Sequence, residues 1–250
     1  MKFISRIIDL FTMARFPEYF FASSKGSASP ESRQPVGLIK LPGPRIEGKI
    51  SIEAALQNRR SVRAFTSDSL TFTDVAQILW ATQGITEKFA DSQTEWHGQA
   101  ILAGLRTAPS AGALYPLEVY LAAAKIADLH PGLYKYVPNE HALGKVLTGE
   151  LINAISEAAL KQNWINEAPA VIVITSVFER TAVKYGARSE RYIQMECGAV
   201  CQNIYLQACA LGIGTVLVGA FYDEKLKSVL QLPANESPLS IMPLGKIQQK

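Results

Sequence analysis

The sequence predicts an α+β domain, and a few features set that class. Helical and strand patterns mix along the chain without the strict βαβ alternation that a parallel sheet requires. Ala170–Val177 is a β-branched run long enough for a buried central strand. Ser189–Leu211 is a long helical stretch, apolar nearly all round and stopped by Gly212.

The elements follow in order. Met1–Phe21 is apolar and aromatic, but Asp9 and Arg15 interrupt it and no small-residue cleavage pattern follows. It predicts neither a secretory signal nor a transmembrane span, but an amphipathic segment that packs on a partner subunit or touches a membrane surface, packing being the favoured reading. Residues 22–49 are rich in Ser, Pro, Gly and Lys and read as an extended surface linker. The extension and linker therefore occupy 1–49, and the compact domain 50–250.

Ser51 caps a helix running through Leu56. Thr71 or Thr73 caps a second, Thr73–Thr82, whose apolar face is Val75, Ile78, Leu79 and Trp80 and whose stop is Gly84. Residues 85–107 read as polar and irregular. Leu117–Ala124 is a strand. Leu133–Val137 and Ala142–Val146 form a hairpin around Pro138-Asn139-Glu140. Leu151–Gln162 is a helix and Ala170–Val177 the central strand. In Ser189–Leu211 the apolar residues include Ile193, Met195, Cys197, Val200, Cys201, Ile204, Leu206, Cys209 and Leu211. Such a helix is buried on all sides, as the spine of a dimer or the centre of a monomer. Thr215–Val218, Asp223–Leu230 and Leu239–Leu244 complete the order as strand, helix and strand.

The totals narrow the function. With 250 residues, 48% of them hydrophobic, the chain can build a sizeable core. A net charge of +3 is too small and scattered for a nucleic-acid partner, yet leaves room for an anionic cofactor. The three cysteines, Cys197, Cys201 and Cys209, sit in one stretch, which is no disulfide framework. They read as buried small hydrophobes in a reducing, cytoplasmic compartment. His97, His130 and His141 lack metal-ligand spacing. There is no Gly-x-Ser-x-Gly elbow, Walker loop or HExxH, so the usual signals of hydrolases and phosphoryl transferases are absent.

Four segments carry chemistry. Arg59-Arg60-Ser61-Val62-Arg63 follows a helix directly, and guanidinium forks match phosphate oxygens; it reads equally as a solvated basic turn. Pro109-Ser110-Ala111-Gly112-Ala113-Leu114-Tyr115-Pro116 is small, apolar and bracketed by prolines. It can let backbone approach a flat ring, or simply turn into the next strand. Gly212-Ile213-Gly214 follows a helix and precedes a strand, the reverse of a dinucleotide-binding turn. Gly219-Ala220, at the end of that strand, can present free N–H groups to a ligand. Lys184-Tyr185 can exchange protons if one of them is desolvated, or belong to a basic surface cluster with Arg188 and Arg191.

Taken in this order, the segments resemble the nitroreductase family over about Ile50–Lys246, ending in Pro243-Leu244-Gly245-Lys246. Ser-Ala-Gly-Ala-Leu-Tyr-Pro, and Lys184-Tyr185-Gly186-Ala187-Arg188, are similar to the SagB-type, azoline-oxidase-like branch. Glycine stands in the first place of the Glu-Gly pair usual beside the flavin. Tyr19–Lys25 is similar to the segment that precedes the core in that branch, without its usual His.

The resemblance implies a three-layer α+β fold, a mixed or antiparallel sheet flanked by helices, in an intertwined homodimer with FMN between the subunits. Arg59, Arg60, Ser61 and Arg63 would hold the phosphate, ribityl chain and pyrimidine edge, with Lys246 assisting. Pro109, Ser110, Ala111, Gly112, Ala113 and Leu114 would pack on the ring from the partner chain. Gly219 and Ala220 would lie near the hydride-accepting nitrogen, and Lys184 and Tyr185 would be the acid/base pair. The substrate would be a small molecule or peptide-derived. Two alternatives stay open: a general nitroreductase or flavin reductase driven by NAD(P)H, and a non-catalytic flavin-binding subunit.

Overall fold

Successive side chains on a strand point to opposite faces, so a strand buried throughout must have layers on both sides. The strand β9 (Ala170–Val177) is such a strand, buried at all of its positions. In the computed structural model, which describes residues 37–88, 95–96, 99–100 and 104–248, Ala170, Ile172 and Ile174 join one core and Val171 and Val173 the other. The N-terminal segment 1–21 lies outside the described residues.

The other strands of the main sheet are β1 (Leu38–Lys40), β6 (Leu117–Ala123), β7 (Gly132–Val137), β8 (Ala142–Thr148), β10 (Ile213–Thr215) and β11 (Glu236–Lys246). Their order is β1-β8-β7-β6-β9-β11-β10, antiparallel at every pair. Two short pairs stand apart, β2 (Ile85–Glu87) with β5 (Leu105–Arg106), and β3 (Glu95–Trp96) with β4 (Gln99–Ala100). The helices are α1 (Ile52–Asn58), α2 (Phe72–Gln83), α3 (Ile152–Ala158), α4 (Phe178–Tyr185), α5 (Ser189–Ala210) and α6 (Asp223–Leu230). Val75, Ile78 and Leu79 of α2 and Ile193, Val200 and Ile204 of α5 cover one face of the sheet. Ile152 and Ile155 of α3 and Leu226 and Leu230 of α6 cover the other. Hydroxyl caps fix where α1 and α2 begin: Ser51 Oγ accepts from Ala54 N at 3.2 Å, and Thr71 Oγ1 from Asp74 N at 3.1 Å.

Several expectations are corrected. The helix α5 is not buried on all sides of the single chain. Ile193, Glu196, Cys197, Val200, Cys201, Ile204 and Ala208 form a buried stripe, whereas Met195 is 63% exposed and Gly198 lies open. Its opposite face also carries Arg191 and Gln194, both exposed, so its apolar residues divide between two faces. The strand expected at Thr215–Val218 is β10, ending at Thr215; Val218 contributes an isolated bridge to Ile241. The helix expected to reach Gln162 stops at Ala158, because Leu160 and Lys161 both take φ of 57°. The stretch around Lys184 is the helix α4. Thr181 is its one buried residue, and its apolar Phe178 and Val183 are exposed. Residues 38–40, read as linker, form an edge strand on β8.

A charged network crosses the sheet. Glu236 Oε2 accepts from Tyr120 OH at 2.8 Å and Thr175 Oγ1 at 2.9 Å, and Glu236 pairs with Lys135 at 3.1 Å. Lys135 also faces Glu118 at 3.4 Å, and Glu118 pairs with Arg180. Burial, then the neighbouring Glu236, holds the Tyr120 phenol far above its usual range. Glu236 is itself 3% exposed. Glu236→Ala therefore leaves Tyr120 and Thr175 without their acceptor and Lys135 with Glu118 alone, and is expected to cost about 3–5 kcal/mol in urea unfolding. A loss below about 1 kcal/mol would mean that water replaces the carboxylate.

Candidate functional site

The arginine segment leaves α1 directly. Arg59 N closes the helix on Ala55 O at 2.9 Å, after which Ser61 bridges Thr215 in parallel. Val62 N donates to Thr215 O at 2.9 Å and Thr66 N to Lys246 O at 2.9 Å, so residues 61–66 lie across the ends of β10 and β11. Glycine makes this approach fit. Gly214 and Gly245 are register partners on those strands. A Cβ on Gly214 would stand 2.8 Å from Val62 Cγ1, and one on Gly245 would stand 2.6 Å from the Phe65 ring.

Beside this segment opens a groove of about 1010 Å³, lined by Arg59, Arg60, Tyr205, Thr215 and Lys246 among others. The half-buried Arg59 stacks its guanidinium 5.3 Å from the Tyr205 ring centre. The Tyr205 hydroxyl lies 3.1 Å from Ser61 Oγ and accepts from Leu217 N at 2.8 Å. Arg60 Nη1 donates to Gln57 O and Arg59 O at 2.9 and 2.8 Å. Lys246 pairs with Asp74 at 3.0 Å. Thr215 Oγ1 is buried with no partner among the described residues. Two guanidinium groups, an ammonium and an aromatic face make a donor set that fits a phosphate-bearing planar cofactor, and the groove is at the upper end of ligand-pocket volumes. Arg63 lies elsewhere, 5.8 Å over the Trp164 ring. Near Trp164, Gln162 Nε2 donates to Ala220 O at 3.3 Å, and Gly219 and Ala220 are exposed.

The Pro109–Pro116 segment forms a 3-10 turn over Ala111–Ala113. Ser110 Oγ accepts from Tyr115 N at 2.9 Å, while Gly112, Ala113 and Tyr115 take φ of 66°, 56° and 44°. This strained loop meets Lys184-Tyr185: a Cβ on Gly112 would lie 2.9 Å from Tyr185 OH and 3.1 Å from Lys184 Nζ. Tyr185 packs edge-on against Tyr192, with ring centres 4.8 Å apart. Burial holds the Tyr185 phenol above its ordinary range, with Tyr192 adding to the shift, so it carries its proton at neutral pH.

The single chain joins some of these residues and separates others. Ser110–Leu114 meets Lys184-Tyr185. The arginine groove lies further along α5, at Tyr205, nine residues or about 14 Å beyond Glu196. Sequence reasoning missed Glu196, which is 4% exposed behind the loop, and Tyr205, which anchors Arg59 and Ser61. A Glu three residues after Ile193 and four before Val200 occupies a core-facing position, and that was the available signal.

The nitroreductase family model matches residues 56–246. A Methanocaldococcus jannaschii protein named for the nitroreductases is 41% identical over 203 residues, covering 81% of this chain and 94% of its own. The microcin B17-processing protein McbC of Escherichia coli is 27% identical over 150 residues, covering 57% of this chain and 54% of its own length. A solved structure from Ralstonia eutropha, also named for the nitroreductases, superposes with a TM-score of 0.67 at 26% identity, covering 90% of this chain and 97% of that one. Among the described residues no helix is long and apolar enough to cross a membrane. Matched over most of its length by sequence and by fold, the chain belongs to the nitroreductase family of oxidoreductases.

Proposed function

We propose that this chain is an FMN-dependent dehydrogenase of the SagB-like kind, acting as a homodimer on a small or peptide-derived substrate. The observation that carries the reading is the seat of Lys184-Tyr185 against the backbone of Gly112. Arg59, Arg60 and Lys246 would hold the phosphate, with Ser61 oriented through Tyr205. Bound there, FMN supplies hydride transfer. The chain's own residues do the rest. Ser110–Leu114 offers backbone with little side chain, which suits close approach to a planar group. Tyr185 enters with its proton in place and can donate a hydrogen bond to the substrate, while the Lys184 amine would accept the proton that leaves with the hydride. The exposed face of α5 around Met195 and Gly198, and the distance between groove and loop, support a site completed by a second copy. The three free cysteines fit a reducing, cytoplasmic compartment.

A second reading is a general nitroreductase or flavin reductase driven by NAD(P)H. It is favoured by the match that spans 94% of a relative named for the nitroreductases, against 54% for McbC.

The first test of the cofactor is the visible spectrum of the purified protein with its released cofactor identified by mass. The expected result is yellow protein with about one FMN per chain, falling at least about tenfold in retained FMN for Arg59→Ala combined with Arg60→Ala, since each guanidinium–phosphate bond is worth about 1.5–3 kcal/mol. Colourless protein that refuses added FMN overturns the reading.

A further inference from the structure

Beside the Ser110–Tyr115 loop lies a buried polar cluster that the proposed reaction does not use. Glu196 on α5, 4% exposed, faces the Ser110 hydroxyl, the amide of Gln83 at the end of α2 and the guanidinium of Arg106 on β5. Each of Glu196, Gln83 and Arg106 has one buried polar atom without a partner among the described residues: Glu196 Oε1, Gln83 Nε2 and Arg106 Nε. Arg106 Nη1 donates to Gln83 Oε1 at 2.8 Å, and its guanidinium stacks 4.3 Å from the Tyr115 ring centre. Tyr115 O accepts from Arg180 Nη1 of α4 at 3.1 Å. The loop is thus gripped by Ser110, Tyr115, Arg106 and Arg180, and Glu196 faces two of those grips, Ser110 and Arg106.

We propose that Glu196 is a positioning residue for the Lys184-Tyr185 site, holding the Ser110–Tyr115 loop in place while its carboxyl is neutral and releasing it when the proton leaves for solvent. This rests on the proposed role of Lys184-Tyr185. The neutral carboxyl spans Ser110 and Gln83 without attracting Arg106. The carboxylate draws Arg106, whose Nε is unpartnered, away from the Tyr115 ring and the strained backbone that the stack helps to hold. Burial pushes Glu196 up to about 7, with Ser110, Gln83 and Arg106 pulling it partway back. The other groups around it are the Tyr115 phenol, held above its usual range chiefly by burial; Cys197 on the next position of α5; and Arg180 and Glu118, which act through Arg106 and offset each other.

The test uses the full chain with its cofactor. In the wild type, kcat is expected to fall on an alkaline limb near pH 7. In Glu196→Gln, which keeps the shape and neutrality of the acid, that limb is expected to disappear, while Glu196→Ala loses turnover at every pH. A limb that persists in Glu196→Gln overturns the proposal. A second readout needs no turnover: the Tyr115 ring resonances are expected to titrate near pH 7 in the wild type and to be flat in Glu196→Gln. Tyr115 titrating near 7 in protein that turns over nothing supports the switch and overturns the proposed function alone. Flat Tyr115 resonances in an active wild type overturn the switch alone.

Discussion

Lys184→Ala is expected to lower dehydrogenation of an organic substrate by about a hundred- to ten-thousand-fold, the usual weight of a positioned acid or base. FMN content should hold, because Lys184 lies beside Gly112 and not in the arginine groove. The geometry makes this a specific loss. Lys184 Nζ lies 5.4 Å from the Tyr185 ring centre, and Tyr185 is braced on Tyr192, so removing the lysine removes one member of an organised pair. Reduction of bound flavin by NAD(P)H should be nearly unchanged, since a hydride from a nicotinamide arrives with no substrate proton to remove. The two activities, measured on one preparation by stopped-flow absorbance, therefore separate the two readings. If the variant dehydrogenates within a few-fold of the wild type, the pair is a surface feature and the NAD(P)H-driven reading stands.

How far the sequence carried this picture follows from what each residue has to do. The strand Ala170–Val177 was legible because a strand buried on both faces must be apolar at every position. The Ser189 helix was legible to within one residue at its end, because Gly212 with φ of 66° stops it. The hairpin around Pro138-Asn139-Glu140 was legible from its turn residues, with His141 taking the left-handed conformation that closes it. The helix α4 was not legible, because it is only eight residues long and its apolar Phe178 and Val183 stay exposed in place of joining a core. Glu196 was missed because a carboxyl in an apolar helix looks like a solvated interruption until the helix is turned to face Ser110. The meeting of Gly112 with Lys184-Tyr185 is a contact between distant segments, and pattern along the chain carries no distance across it.

Gly245→Ala is expected to cost about 1–3 kcal/mol and a thermal midpoint lower by several degrees, the range for overpacking a closed contact. A Cβ there would stand 2.6 Å from Phe65 Cδ1 and Cγ and 2.8 Å from Phe65 Cβ. Those atoms sit near the root of the side chain, so a rotamer change cannot clear them and the backbone of 61–66 must lift. That segment is tied down by Val62 N to Thr215 O and Thr66 N to Lys246 O, and its displacement carries Arg59 and Arg60 out of register with Lys246 across the groove. Retained FMN should therefore fall along with stability. Gly43→Ala is the control: nothing stands within 4 Å of its added Cβ, so both readouts should stay at wild-type values. The decisive comparison adds Phe65→Ala. If the steric account holds, Gly245→Ala in that background costs less than it does alone, because the two nearest colliding atoms, Phe65 Cγ and Cδ1, are gone and only Cβ remains, and the two changes are non-additive. Simple additivity of the two losses in urea unfolding would mean that Gly245 is required for some property of the strand itself and not for the approach of the arginine segment.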